Sequence, residues 1–298
     1  MSVCYAEISK YLHAPLQFNP SNPLADILNK QEFTTSDLDP ESYVVAAGKK
    51  TDSINQSFRD ELHHKFGNSV SPPLLDSSDP PATSEDIAIY AFLLKNLLFA
   101  DPFDTNAPMS FGWTKVASFG FGHEVSPGSG APPNLTSEVR LLRYSSQDDF
   151  IIQIRTKSDG EQLVLAKITP AKTLEETIAI VLPTIKPTAI WGLDEKDKLA
   201  IPKIDFDLTA HFKELEGKSF DGGRINTAAE NIVFRLNEKG AELKAFATIS
   251  MTLGGTYPPP KPLDLIFDKP FLVLLKRESS PRPYFAMWVG NPTLLVSP

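Results

Sequence analysis

Apolar and polar positions along this chain recur with two different periods, and each change of period marks a change of predicted element. In residues 5–12 (YAEISKYL), Tyr5, Ile8 and Leu12 fall at helical spacing and predict a short amphipathic helix. The three prolines of HAPLQFNPSNPL predict an extended turn that leads into a short helix, ADILNK. Residues 33–42 read as a polar connection and YVVAAG as a short strand. In SINQSFRDELHHKFG, Ile54, Phe58, Leu62 and Phe66 repeat every four residues, which predicts a helix ended by Gly67. Residues 68–86 are a loop rich in Pro, Ser and Asp. IAIYAFLLKNLLFADPFD is apolar without a period and fits either a buried strand or a helix. After a Gly/Pro-rich loop at 122–136, the clearer alternation in EVRLLRY, DFIIQIRT and EQLVLAKITP predicts three successive antiparallel strands. KTLEETIAIVLPTI predicts a helix closed by Pro183, DKLAIPKIDFDL a strand interrupted by proline, and TAHFKELEG a further helix. From Ile232 onward the chain reads as nearly all strand. No internal repeat or compositional break divides it, so residues 1–298 are expected to form a single domain.

Composition narrows this picture. Hydrophobic residues at 41% and charged residues at 22% suit a globular protein with a sizeable core. The 26 prolines break up long helices and central strands, favouring an irregular α+β fold over a helical bundle. A net charge of −8 and the lack of any basic run argue against nucleic-acid or anionic-membrane partners. No apolar stretch approaches membrane-spanning length. The first residues lack the basic start and apolar block of a signal peptide, so a cytoplasmic location is expected, a lost leader being the alternative.

Reactive constellations are few. A single cysteine, Cys4, excludes an internal disulfide framework and reads as a small apolar residue. His13, His63, His64, His123 and His211 form no metal motif, and His63 and His64 point to different helix faces. Glu175–Glu176 and Asp194–Glu195 sit in solvated contexts and make no acid/base pair. Trp113, Trp191 and Trp288 read as core or sheet-edge aromatics, and GTYPPPKP as a stiff connector. Asn55-Gln56-Ser57 and Asn134-Leu135-Thr136 fit the glycosylation pattern. No enzyme activity, cofactor or metal is expected.

The C-terminal third carries a resemblance. FDKPFLVLLKRESSPRPYFAMWVGNPT is similar to the C-terminal block of the serpins, with Phe267, Pro270, Phe271, Phe285, Asn291 and Pro292 at that family's spacing. IVFRLNEKGAELKAFATISM resembles the serpin strand and hinge. Upstream, LQFNPSNPLADIL (Phe18, Pro20), FLLKNLLFADPFD (Asn96, Phe99, Pro102, Phe103, Asp104) and IPKIDFDL resemble further serpin segments in the same order. The resemblance implies an α+β fold of large mixed sheets with surrounding helices and an exposed reactive-centre loop, here about residues 241–262. It also implies that length is missing between residues 30 and 43 and between Gly67 and Ile87. Glu230 stands where the family carries a histidine in its sheet-opening region, together with Pro20 and Asn96.

The family's loop inserts as an extra strand of its own sheet after cleavage. That demands a period of 2, and residues 241–251 have it. Ala241, Leu243, Ala245, Ala247, Ile249 and Met251 form one apolar face; Glu242, Lys244, Phe246, Thr248 and Ser250 form the other. Burying six apolar side chains at roughly 25 cal/mol per Å² releases several kcal/mol before ordering is counted. A half-buried resting strand would show the same alternation. The hinge is expected at Glu238, Gly240, Ala241, Leu243 and Ala245, with Leu243 and Phe246 bulkier than the family's usual small residues. By family spacing the bond to be cut lies about fourteen residues after Gly240, within Met251, Leu253, Gly254, Gly255 and Thr256. Such apolar or small residues suit a chymotrypsin-, elastase- or subtilisin-like serine protease. The resemblance thus implies a monomeric, metastable protease inhibitor whose partner is its target protease. The alternative is a non-inhibitory member used for binding or carriage.

Overall fold

The structure, a computed structural model, describes residue 5 and residues 9–30, 38, 40–49, 52–67, 86–94, 98–122, 131–158, 160–186, 191–220, 223–240 and 261–298. A helical turn at residues 9–12 precedes α1 (Pro23–Lys30). Asn22 starts α1 by accepting, through Oδ1, the N–H groups of Leu24 and Ala25 at 3.0 and 3.1 Å. β1 (Tyr43–Lys49) leads into α2 (Asp52–Phe66). Phe58 and Leu62 are buried on α2's inner face, as their spacing predicts. Gly67, at φ 76°, ends the helix, its N–H returning to the His63 carbonyl.

The ambiguous apolar run is a strand, β2 (Asp86–Leu94). Ile87 and Ala91 enter one hydrophobic cluster, Tyr90 and Phe92 another. A strand buried on both faces has no apolar period, which is why pattern alone left the choice open. A hairpin of β3 (Asp104–Phe111) and β4 (Thr114–Phe121) follows, then the one-turn helix α3 (Pro133–Thr136). β5 (Val139–Ser146), β6 (Asp149–Ile154) and β7 (Glu161–Lys167) are antiparallel, as predicted. α4 (Leu174–Val181) opens on a capping box between Thr173 and Glu176 and tightens into a 3-10 turn at Pro183.

β8 (Lys198–Pro202) and β9 (Ile204–His211) are the halves of the proline-broken strand. They are followed by β10 (Ser219–Phe220), β11 (Gly223–Leu236), β12 (Asp264–Ile266), β13 (Phe271–Arg277) and β14 (Pro283–Val289).

Three expectations need correction. TAHFKELEG is not a helix: β9 continues to His211, and the Phe212 N–H donates to the Ala228 carbonyl of β11. A single turn follows, in which Glu216 N–H returns to Phe212, before Gly217 at φ 72° ends it. Ile232 is in a strand as expected, but that strand starts earlier, at Gly223: Ile232 lies within the 14-residue β11, where Ile232 and Val233 pair with Leu93 and Leu94. Trp113 is neither core nor sheet-edge packing but fully exposed at the β3–β4 turn, next to Gly112 at φ 57°.

The chain forms two compact units. One comprises Met1–Lys95 and Phe206–Phe234 and holds the sheet β1-β2-β11-β10, with β9 also paired to β11. Its hydrophobic clusters are built on Leu16, Leu28, Ile225 and Phe220, and on Phe58 and Leu62 of α2 with Tyr90. The other comprises Asn96–Asp205 and Arg235–Pro298. It holds the sheets β12-β8-β4-β3 and β14-β13-β7-β6-β5, and α4 packs Ile178 and Val181 against Ile151, Val164 and Leu274. Phe267 and Phe271, two landmarks of the C-terminal block, are fully buried edge-to-face at 5.1 Å.

Candidate functional site

The first unit contains one parallel strand pair between antiparallel neighbours. β1 runs antiparallel to β2, and β10 antiparallel to β11, but β2 and β11 are hydrogen-bonded to each other in parallel. The pairing runs from Asp86 opposite Arg224 to Leu94 opposite Val233, with a register shift between Ile225 and Thr227. Parallel pairs are slightly less stable per residue than antiparallel ones. A strand running antiparallel to both would replace this one pair by two antiparallel pairs. The seam is closed, with β2 directly against β11 and no strand between them.

The sheet-opening residues are brought together only in part. Glu230 stands on β11 opposite Ala91, within the seam. Pro20 lies in the turn before α1 and lines a cleft with Phe18, Leu24 and Lys218. Phe18 there bridges to Phe220 of β10. Asn96 lies outside the described residues.

The second unit holds the turn that leaves β11. Asn237 Oδ1 accepts the Lys239 N–H at 3.0 Å, and the Asn237 carbonyl accepts the Gly240 N–H at 3.1 Å. Gly240 is buried at φ 73°, a left-handed conformation that glycine adopts without strain. The turn is tied down at three points. The Glu238 carbonyl accepts the Phe103 N–H at 2.8 Å, the Lys239 carbonyl the Phe99 N–H at 3.4 Å, and Gly240 bridges Leu98. Phe99 and Phe103 are buried and packed edge-to-face at 5.0 Å, so the anchor is part of a core.

Glu238 forms an ion pair with Lys203 at 2.6 Å. Burial alone would raise its carboxyl. The Lys203 contact, a backbone hydrogen bond and the Lys239 charge outweigh burial and hold it below the usual carboxylate range. Glu238 and Gly240 of the expected hinge are therefore fixed, and Lys203 joins them. Sequence reading placed Lys203 in a serpin-like segment (IPK) without assigning it to the hinge. Ala241, Leu243 and Ala245 lie outside the described residues, as do Met251, Leu253, Gly254, Gly255 and Thr256. The stretches in which length was expected to be missing also lie for the most part outside them. Among the described residues, no group of His, Cys, Asp and Glu could hold a metal ion, and no helix is long and apolar enough to cross a membrane.

No family model and no curated protein matches the chain by sequence. Solved structures do match it by fold. Thyroxine-binding globulin in complex with thyroxine aligns at a TM-score of 0.51 and 16% identity, over 81% of this chain and 65% of that one. Human thyroxine-binding globulin with thyroxine aligns at 0.50 and 16% identity, over 82% and 66%. Serpin48 of the insect Tenebrio molitor aligns at 0.48 and 16% identity, over 95% and 84%. This chain thus spans just under two thirds of the length of thyroxine-binding globulin. From the residue spacing of the C-terminal block to the superposition on thyroxine-binding globulin, the observations agree: the chain has the serpin fold.

Proposed function

We propose that the protein inhibits a serine protease as a suicide substrate. Residues beyond Gly240 are offered as bait, and after cleavage 241–251 enters the seam between β2 and β11. The observation that carries this reading is the closed parallel pair. A segment that leaves β11 through a tight turn runs back antiparallel to it, the direction that converts the seam into two antiparallel pairs. The period-2 alternation of 241–251 supplies one apolar face for that insertion. Chymotrypsin- or subtilisin-like enzymes are the expected targets, because Met251, Leu253 and Thr256 offer apolar or small residues to cleave.

The test is incubation with chymotrypsin and with subtilisin, followed by denaturing electrophoresis and a melting curve of the cleaved protein. An SDS-resistant complex and a raised melting temperature are expected. Neither complex nor stabilisation would sink the inhibitor reading.

A second reading, a non-inhibitory protein used for binding or carriage, is favoured by one sequence feature. Leu243 and Phe246 place bulk where an inserting strand needs small residues. Thyroxine-binding globulin, similar in fold, is seen with a bound small molecule. On that reading cleavage leaves the melting temperature unchanged and a small ligand raises it.

A further inference from the structure

One end of the sheet β14-β13-β7-β6-β5 carries polar groups that the packing of its apolar face leaves without partners. Trp191 bridges Arg140 of β5, Arg140 stands opposite Gln153 of β6, and the Arg155 N–H donates to the Glu138 carbonyl one step further on. By the period of 2, these residues and Gln162 share the face that presents Ile151, Val164 and Leu274 to α4. The guanidinium carbons of Arg140 and Arg155 lie 4.3 and 4.5 Å from the Trp191 ring, so one indole holds two cations beside each other. Arg140 reaches only the Lys186 carbonyl, at 3.4 Å, and neither arginine forms an ion pair with a described residue. Glu138 Oε2, Arg140 Nε, Gln153 Oε1 and Gln162 Oε1 are all buried and have no hydrogen-bond partner among the described residues.

Buried polar groups are nearly always satisfied in folded proteins. Four orphans at one end of one sheet face, beside two guanidiniums that feel the charges of Glu138 and Glu278 without pairing to either, mark a place where another molecule supplies the partners. We propose that this end of the sheet binds a small hydroxylated oxyanion, its phosphate or carboxylate group against Arg140 and Arg155 and its hydroxyls donating to Gln153 and Gln162. Guanidinium forks match such oxyanions, and Trp191 fixes both forks before the ligand arrives. Burial lowers the Arg140 pKa and the Arg155 charge lowers it further, against the opposing charge of Glu278; a bound anion relieves the Arg140–Arg155 repulsion. Glu138 opposes an anion little below about pH 7, where its carboxyl is mostly uncharged. Burial raises its carboxyl to about 7, against the nearby Arg155 charge and with the help of Asp101.

The site belongs to a different sheet from the seam and holds whether or not the protein inhibits proteases. The test uses the full chain with Trp113→Phe and Trp288→Phe, which leaves Trp191 as the only tryptophan of the three. Glycerol phosphate and sodium sulfate are titrated at equal ionic strength, with fluorescence and calorimetry as readouts. A saturable change at Trp191 is expected with glycerol phosphate, roughly tenfold weaker with sulfate, which has no hydroxyl donors. Arg140→Gln and Arg155→Gln should each weaken it by about tenfold or more, and Arg235→Gln should not. Should an arginine variant fail to fold, Gln153→Ala serves instead, bringing glycerol phosphate down to the level of sulfate. No saturable response, equal binding of the two salts, or binding that survives these variants would overturn the proposal.

Discussion

Glu238 and Glu138 are two carboxylates whose environments push in opposite directions. The Glu238 carboxyl is held low because its Lys203 partner and other polar contacts outweigh the burial that would raise it. A depressed folded pKa stabilises the native state above the unfolded value, and that stability is lost as pH falls through the folded value. Lys203→Ala should therefore destabilise the protein at pH 7 by on the order of 1–3 kcal/mol, with a lowered melting temperature, leaving Glu238 without its partner. The deficit should shrink toward pH 3, as a melting series from pH 3 to 8 would record; a deficit independent of pH would contradict the assignment. Glu138 behaves in reverse. With its carboxyl raised to about 7, burial disfavours the charged form, so this residue costs stability increasingly as pH rises from the ordinary carboxylate value to above 7. Glu138→Gln should raise the melting temperature at pH 8 and leave it nearly unchanged at pH 4, unlike a substitution that merely loosens packing. Neither glutamate's titration was legible in the sequence. Lys203 precedes Glu238 by 35 positions and Arg155 follows Glu138 by 17, distances that only strand pairing closes.

At the scale of elements, legibility followed both burial and punctuation. β6 and β7 are buried on both faces yet readable as short apolar runs between charged and turn residues, whereas α2, with one wet face, declared itself by its period. β2 did not, because both of its faces are covered. The segment after His211 misled because Phe212 and Leu215 sit at helical spacing, yet hydrogen bonding to β11 and Gly217 limit it to one turn. Close strand spacing yields a prediction that no pattern could offer. A Cβ on Gly120 of β4 would lie 2.0 Å from the Leu199 carbonyl oxygen of β8, with φ at 146°. Gly120→Ala should destabilise the protein by roughly 3 kcal/mol or more, or abolish soluble expression; a melting temperature within error of the parent would refute the spacing. The proposed bait segment can be tested through its period as well. Ala247→Arg puts charge on the apolar face and should abolish any gain in melting temperature after loop cleavage, whereas Thr248→Arg, on the other face, should preserve most of it. Equal effects would mean that the segment does not insert in that register.

For the whole molecule, the fold was legible chiefly because the C-terminal block holds several Phe, Pro and Asn residues at fixed spacing. Phe267 and Phe271 are fully buried, and Asn291 accepts the Thr293 N–H to start the turn that follows β14. The proposed function was less legible, since an insertion mechanism would depend on the relative free energies of two states of one chain. The parallel seam between β2 and β11 is the feature on which the two states would differ. Its conversion would add apolar burial and replace one parallel pair by two antiparallel ones, for several kcal/mol at roughly 25 cal/mol per Å² of apolar burial. The most direct measurement is the melting temperature of the intact protein against that of the protein nicked between Met251 and Thr256 by subtilisin. The insertion account predicts a rise of about 10 °C or more, taking roughly 2–4 °C per kcal/mol. An unchanged or lower melting temperature in the nicked protein would contradict it.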